Sequence, residues 1–229
     1  MRSTRWSAAV ALTAWAACGG GDAPPLTTLA DSGSYAVGMN MGASIREVRD
    51  EVRLEQLMQG LRDLADGRAT RLSEQEAGRV LEAFVMDVRQ RQEAGRTAMA
   101  DSNQQAGDAY RETNGQRAGV TTTASGLQYE VLTAGTGPRP TASDRVRVHY
   151  TGTLIDGTEF QSSYGGDPVT FEVSQLIGGW TEALQLMPAG SKYRIVVPPN
   201  LGYGPDGRPP DIPPNATLVF ELELLGIER

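Results

Sequence analysis

Near residue 119 the spacing of apolar side chains changes from a helical repeat to a repeat of two, and any fold for this chain has to contain both. Upstream, Leu54, Leu57, Met58, Leu61 and Leu64 recur at helical spacing and stop at Gly67, a residue that ends helices without steric cost. A second stripe, Val80, Leu81, Phe84, Val85 and Val88, follows a capping pair formed by Ser73 and Glu76. Downstream, apolar and polar residues alternate over 127–132, 145–154, 169–173, 192–197 and 217–225, the pattern of half-buried strands. Among them stands one short helical stretch, "GGWTEALQLM", with Glu182 expected in its first turn and Pro188 ending it. Helices first and strands afterwards describe an α+β chain: an all-helical N-terminal part, then an antiparallel sheet wrapped around one short helix.

The helical part divides further. "DSGSYAVGMNMGASIREVRDEV" favours helix, with Asp31 as its cap. After Val88 the apolar stripe thins to alanines and Met99, yet the composition stays helix-forming to about Thr113, passing through Gly95 and Gly107. A continuous helix of about 40 residues would run about 60 Å. Its second half is polar, so it reads as a linking arm and not as a core element. The short helices before it present more apolar face than a bundle under about 80 residues can bury, and pairing with a second copy is the natural remedy.

The first residues, "MRSTRWSAAVALTAWAACGGG", join a basic start to an apolar run that is too short to span a bilayer and ends in small residues. This is the pattern of an export signal. "AWAAC" resembles a lipobox, which would make Cys18 the lipidated first residue of the mature chain; Trp15 stands where a Leu is usual, and cleavage after Ala16 or Ala17 is the alternative. "GGGDAPPLTT" then reads as a tether. The expected organisation is a leader over 1–18, a tether over 19–30, a helical dimerisation domain with its arm over 31–119, and the sheet domain over 120–229. Cys18 is the one cysteine and His149 the one histidine, which argues against a disulfide, a Cys- or His-based metal centre or any cofactor held by one. A formal net charge of -7 argues against nucleic acid and anionic lipid as partners, leaving a lipid anchor as the one expected link to a membrane.

The strand "VHYTGTLIDGTEFQSS" turns at Asp156-Gly157 and carries Tyr150 and Phe160 beside a polar Gln161. Together with "QLIGGWTEALQLMPAG", "YRIVVPPNLGYG" and "IPPNATLVFELELL", it resembles the FKBP-type peptidyl-prolyl isomerases, in order and at near-family spacing. The upstream segments "SYAVGMNMG", "GLRDLADG" and "AGVTTTASGLQY" resemble the N-terminal dimerisation domain of the Mip- and FkpA-like members of the cell envelope. The resemblance implies an aromatic pocket in which Tyr150, Phe160, Ile177, Trp180, Tyr203 and Phe220 fall on lining positions, with Trp180 as the floor. It puts Leu176 and Ile212 on apolar wall positions and Val169 where the family often has Phe. Gln161 departs from the family's usual Asp, and the loop "SYGGDP" is one residue short of the single-domain prototype. Phe171 reads as core, and His149, beside Tyr150 on a strand, as a structural residue of the opposite face.

Such a pocket needs no nucleophile, metal or cofactor. An X-Pro bond rotates over a barrier of about 18–20 kcal/mol because its C–N bond is partly double. A dry aromatic cup lowers that barrier by fitting the twisted form better than either planar one. The expected function is therefore isomerisation of proline bonds in unfolded exported proteins by a homodimer of the periplasm or outer membrane, with macrolide inhibitors as possible ligands. The alternative is a dimeric holdase whose isomerase activity is vestigial, a reading that Gln161 keeps open.

Overall fold

The structure is a computed structural model and describes residues 24–228. The leader and Cys18 lie outside the described residues. By packing, the chain divides into two units, one ending at Ser73 and one beginning at Glu74.

The first unit holds α1 (Leu29–Ser44) and α2 (Leu54–Ala65). Asp31 does not cap α1. Thr28 does: its hydroxyl accepts the Asp31 N–H at 3.1 Å, and the Asp31 carboxylate accepts the Thr28 N–H at 2.8 Å. The helix thus begins two residues inside the stretch expected as tether, because a Thr three residues before an acid completes a capping box that Asp31 alone cannot make. No residue of α1 is buried. In α2 the apolar residues Leu54, Met58 and Leu61 share a face, yet each is at least 40% exposed. Within 24–73 no hydrophobic side chain is buried, so this unit has no core of its own.

The second unit opens with α3 (Glu74–Gly115), 42 residues and about 63 Å long. Its first half leaves Val80, Leu81, Val85 and Met86 exposed. Its second half, read from its polar composition as a linking arm, also makes contacts of its own with the sheet. It docks on the sheet through hydrogen bonds: Asn103 donates to the Pro214 carbonyl at 2.8 Å, Arg111 to the Thr217 hydroxyl at 2.7 Å, and Asn114 to the buried Gln128 side chain at 2.8 Å. Gln128 in turn donates to the Arg111 carbonyl at 2.7 Å. Gly107 lies where the helix meets Thr217; a Cβ there would stand 2.3 Å from the Thr217 hydroxyl. The boundary expected at 119/120 marks the change of period, while the packing boundary lies a whole helix earlier.

The sheet follows: β1 (Val120–Thr122), β2 (Gln128–Thr133), β3 (Arg145–Leu154), β4 (Glu159–Ser162), β5 (Val169–Glu172), β6 (Ser191–Val197) and β7 (Leu218–Glu228). All pairings among the described residues are antiparallel, in the order β1-β2-β6-β7-β3-β4, with β5 also on β3. The short β1 is an addition to the expected strands. The sheet's inner face carries Val146, Val148, Ile195, Val197, Leu222 and Leu224, and packs on α4 (Gly178–Leu186) through Trp180, Ala183 and Leu184. Glu182 falls beyond the first turn of α4 and accepts a hydrogen bond from Ser125 at 2.6 Å instead of facing the helix dipole. Among the described residues no helix is long and apolar enough to cross a membrane.

Candidate active site

β3 alternates buried and partly exposed positions, and this alternation turns Tyr150 into the core and His149 away from it. β3 runs against β4 on one side and β7 on the other, with Gly152 opposite both Gln161 and Phe220. A Cβ at Gly152 would come within 2.7 Å of the Phe160 ring and 2.8 Å of the Phe220 ring. Glycine here is what lets the two rings meet, centroids 5.6 Å apart and nearly perpendicular. The first residues of α4 bring Trp180 beneath them, edge-on to Phe220 at 5.3 Å and to Tyr150 at 5.0 Å. Perpendicular rings set the positive edge of one against the negative face of the next, a geometry that holds an aromatic box in one shape.

Above this box lies a cleft of about 280 Å³. It is lined by Tyr150, Phe160, Gln161, Leu176, Ile177, Trp180, Tyr203 and Phe220, so eight of the ten pocket residues read from the sequence come together. Val169 and Ile212 do not line it. Val169 pairs with Val148 across the sheet and packs on the core. Ile212 is 1% exposed, and its backbone exchanges two hydrogen bonds with Arg208, at 2.8 and 3.0 Å. Both support the site from behind.

Three lining residues escaped the sequence reading: Phe171, Gln175 and Arg208. Phe171 follows Val169 at an interval of two, which puts both on one face of β5; that spacing was the available signal. Its ring stands edge-on to Trp180 at 5.9 Å, closing the box on that side. Arg208 sits in the long loop before β7, where no periodicity marks which side chains turn inward. Its guanidinium lies 5.5 Å from the centre of the Tyr203 ring, with Nη1 3.5 Å from the Tyr203 hydroxyl.

The electrostatics are those of a dry floor with a polar mouth. Burial pushes the Tyr150 hydroxyl above the usual tyrosine range; Tyr203 adds to this and the Arg208 charge opposes it. Tyr150 therefore stays protonated at neutral pH and keeps a proton to donate. The Trp180 indole N–H is buried without a hydrogen-bond partner among the described residues. Gln161 is exposed, on the strand that forms the edge of the cleft. On the other face of β3, His149 stacks on Tyr164 at 4.9 Å and lies 3.1 Å from the Ser163 hydroxyl, which accepts the Tyr150 N–H at 2.8 Å. His149 thus braces the backbone of Tyr150 from outside the cleft. Among the described residues no three His, Cys, Asp or Glu side chains gather as metal ligands would.

Residues 137–225 match the family described as FKBP-type peptidyl-prolyl cis-trans isomerase, and residues 30–131 match the domain amino terminal to it. The outer membrane protein MIP of Legionella longbeachae is 42% identical over 91% of this chain and 90% of its own length. The FKBP-type 22 kDa peptidyl-prolyl cis-trans isomerase of Escherichia coli is 41% identical over 89% of this chain and 98% of its own. The crystal structure of FkpA from Escherichia coli superposes with a TM-score of 0.71 at 38% identity, over 89% of this chain and 99% of that one. The helical N-terminal part and the antiparallel sheet on one helix are thus parts of one known architecture, and the chain belongs to the FKBP-type peptidyl-prolyl cis-trans isomerases.

Proposed function

We propose that the cleft over Trp180 is where this isomerase turns X-Pro bonds. The observation that carries the reading is the perpendicular box of Trp180, Tyr150, Phe160 and Phe220 beneath a cleft with a polar mouth. A proline ring is apolar and seats on such faces. Rotation about its C–N bond breaks amide resonance, so the carbonyl oxygen loses part of its charge and the nitrogen becomes pyramidal. A floor without water favours that less polar, twisted form over the planar ground states. Trp180 serves as the floor, with Tyr150, Phe160 and Phe220 as walls and Leu176 and Ile177 as the apolar shoulder. Tyr203 donates its hydroxyl to a substrate carbonyl, and Gln161 meets the peptide at the rim. A proline-peptide assay on the parent and Tyr203→Phe tests this. A slower variant is expected; equal rates remove the hydroxyl from the mechanism, and an inactive parent removes the site.

The physiological setting is an exported homodimer that assists folding of envelope or secreted proteins. Dimerisation through 31–119 is supported by the unburied apolar faces of α1 and α2, which a second copy would cover. Light scattering should give twice the chain mass, and a monomer at micromolar concentration refutes it. The relative named an outer membrane protein supports a place in the cell envelope, and the leader ending at Cys18 supports a lipid anchor there. Cys18→Ser should release the mature chain from membranes, with loss of the lipid mass. The same exposed faces favour a second reading, in which a holdase captures unfolded chains. Rapid action on a slow-refolding protein with little on peptides would select it.

A further inference from the structure

Among the described residues the cleft has one charged residue in its lining, and it is a cation: Arg208. The position where the family's acid is expected holds neutral Gln161, and the remaining polar liners are Gln175 and the two tyrosines. Arg208 makes no ion pair among the described residues, and Asp206 in the same loop is engaged by Arg96 at 3.1 Å. Its backbone is fixed by the two hydrogen bonds to Ile212, and its exposed guanidinium lies against the Tyr203 ring, 5.5 Å from the centroid. Burial and Tyr203 raise the Tyr150 hydroxyl, and the Arg208 charge is the one opposing influence and the smallest of the three.

We propose that Arg208 is a specificity residue, selecting proline segments that carry an acidic side chain next to the proline. The inference rests on the reading of this cleft as the isomerase site. A guanidinium at the mouth of an apolar pocket pairs with a carboxylate in forked geometry. With no carboxylate of its own in the lining, the site leaves that fork for the substrate. The net charge of -7 works in the opposite direction, repelling acidic peptides at long range, so the preference is local and depends on this one side chain.

The test compares kcat/KM for peptides Ala-X-Pro-Phe and Ala-Ala-Pro-X with X as Glu, Gln, Lys or Leu, at low salt and at 1 M salt. In at least one position the parent should turn over Glu about threefold faster than Gln, the size of an exposed ion pair, with Lys slowest and the ratio falling toward one in high salt. Arg208→Gln should bring the Glu to Gln ratio to one or below, and Arg208→Glu should favour Lys. A parent ratio of one or less in both positions at low salt overturns the proposal. So does an unchanged ratio in Arg208→Gln whose melting temperature matches the parent. The salt dependence of the parent decides the question even if a variant fails to fold. A parent that is folded yet inactive on the Leu peptides removes the isomerase reading of the cleft together with the proposal, an outcome distinct from an active enzyme indifferent to charge.

Discussion

Two glycines of α3 should respond in opposite ways to the same substitution. A methyl group added at Gly95 meets open space, with no atom within 4 Å, whereas a methyl at Gly107 meets the Thr217 hydroxyl at 2.3 Å and its Cβ at 3.1 Å. Helix propensity alone favours alanine at either position by about 1 kcal/mol. At Gly95 nothing opposes that gain. At Gly107 the hydroxyl has to rotate, and it accepts from Arg111 in a half-buried contact with a charged donor. Losing such a bond costs about 1.5–3 kcal/mol. Thr217 is 2% exposed and has little room to give way. Gly107→Ala should therefore destabilise the second unit by about 2 kcal/mol after the propensity gain is counted, and Gly95→Ala should stabilise it by up to about 1 kcal/mol. Urea unfolding followed by Trp180 fluorescence measures both, since Trp180 is the one tryptophan among the described residues. Thr217→Ala in the Gly107→Ala background should recover part of the loss, as a double-mutant cycle between contacting residues requires. If Gly107→Ala stabilises as much as Gly95→Ala, α3 does not dock on the sheet where described.

Trp180→Ala should cost about 3–5 kcal/mol of stability along with activity, because it empties the centre of three edge-to-face contacts; a normal melting curve for this variant would refute its place in the core. Gln161→Asp should speed peptide turnover and tighten macrolide binding by the worth of one charge-assisted hydrogen bond, about 1–2 kcal/mol at most, and no change in either would take Gln161 off the rim. His149→Ala should lower the melting temperature more than it lowers kcat at a temperature where the variant is folded, since its ring braces Ser163 from outside the cleft; a selective loss of kcat would give His149 a chemical part.

The aromatic box was legible in the sequence through the motifs that carry the family resemblance, which contain Tyr150, Phe160, Trp180 and Phe220; Phe171 stands outside those motifs and read as core. Alternation and helical spacing by themselves would leave Trp180 and Phe220 as ordinary core residues. Arg208 was not legible: it lies in a loop whose side-chain directions depend on a backbone pairing with Ile212 that no local pattern announces. Ile212, expected on an apolar wall, sends its side chain to the core while its backbone holds the loop. The docking of α3 was hidden by its chemistry. Asn103, Arg111 and Asn114 look like a solvated helix face, and a polar interface leaves no apolar stripe to betray it.

The pairing of β3 with β7 also sets an order of events during synthesis. Tyr150 lies opposite Leu222, and Gly152 opposite Phe220, across roughly 70 residues of intervening chain. A loop of that length has to close before the two walls of the cleft face each other. An emerging chain can form its helices early, as local elements do. Its cleft is not complete until β7 has been made and inserted between β3 and β6. The catalyst of a slow folding step is therefore, by its own topology, among the late parts of its own chain to become native, and during that interval its aromatic half-site is exposed as one more unfolded segment awaiting help.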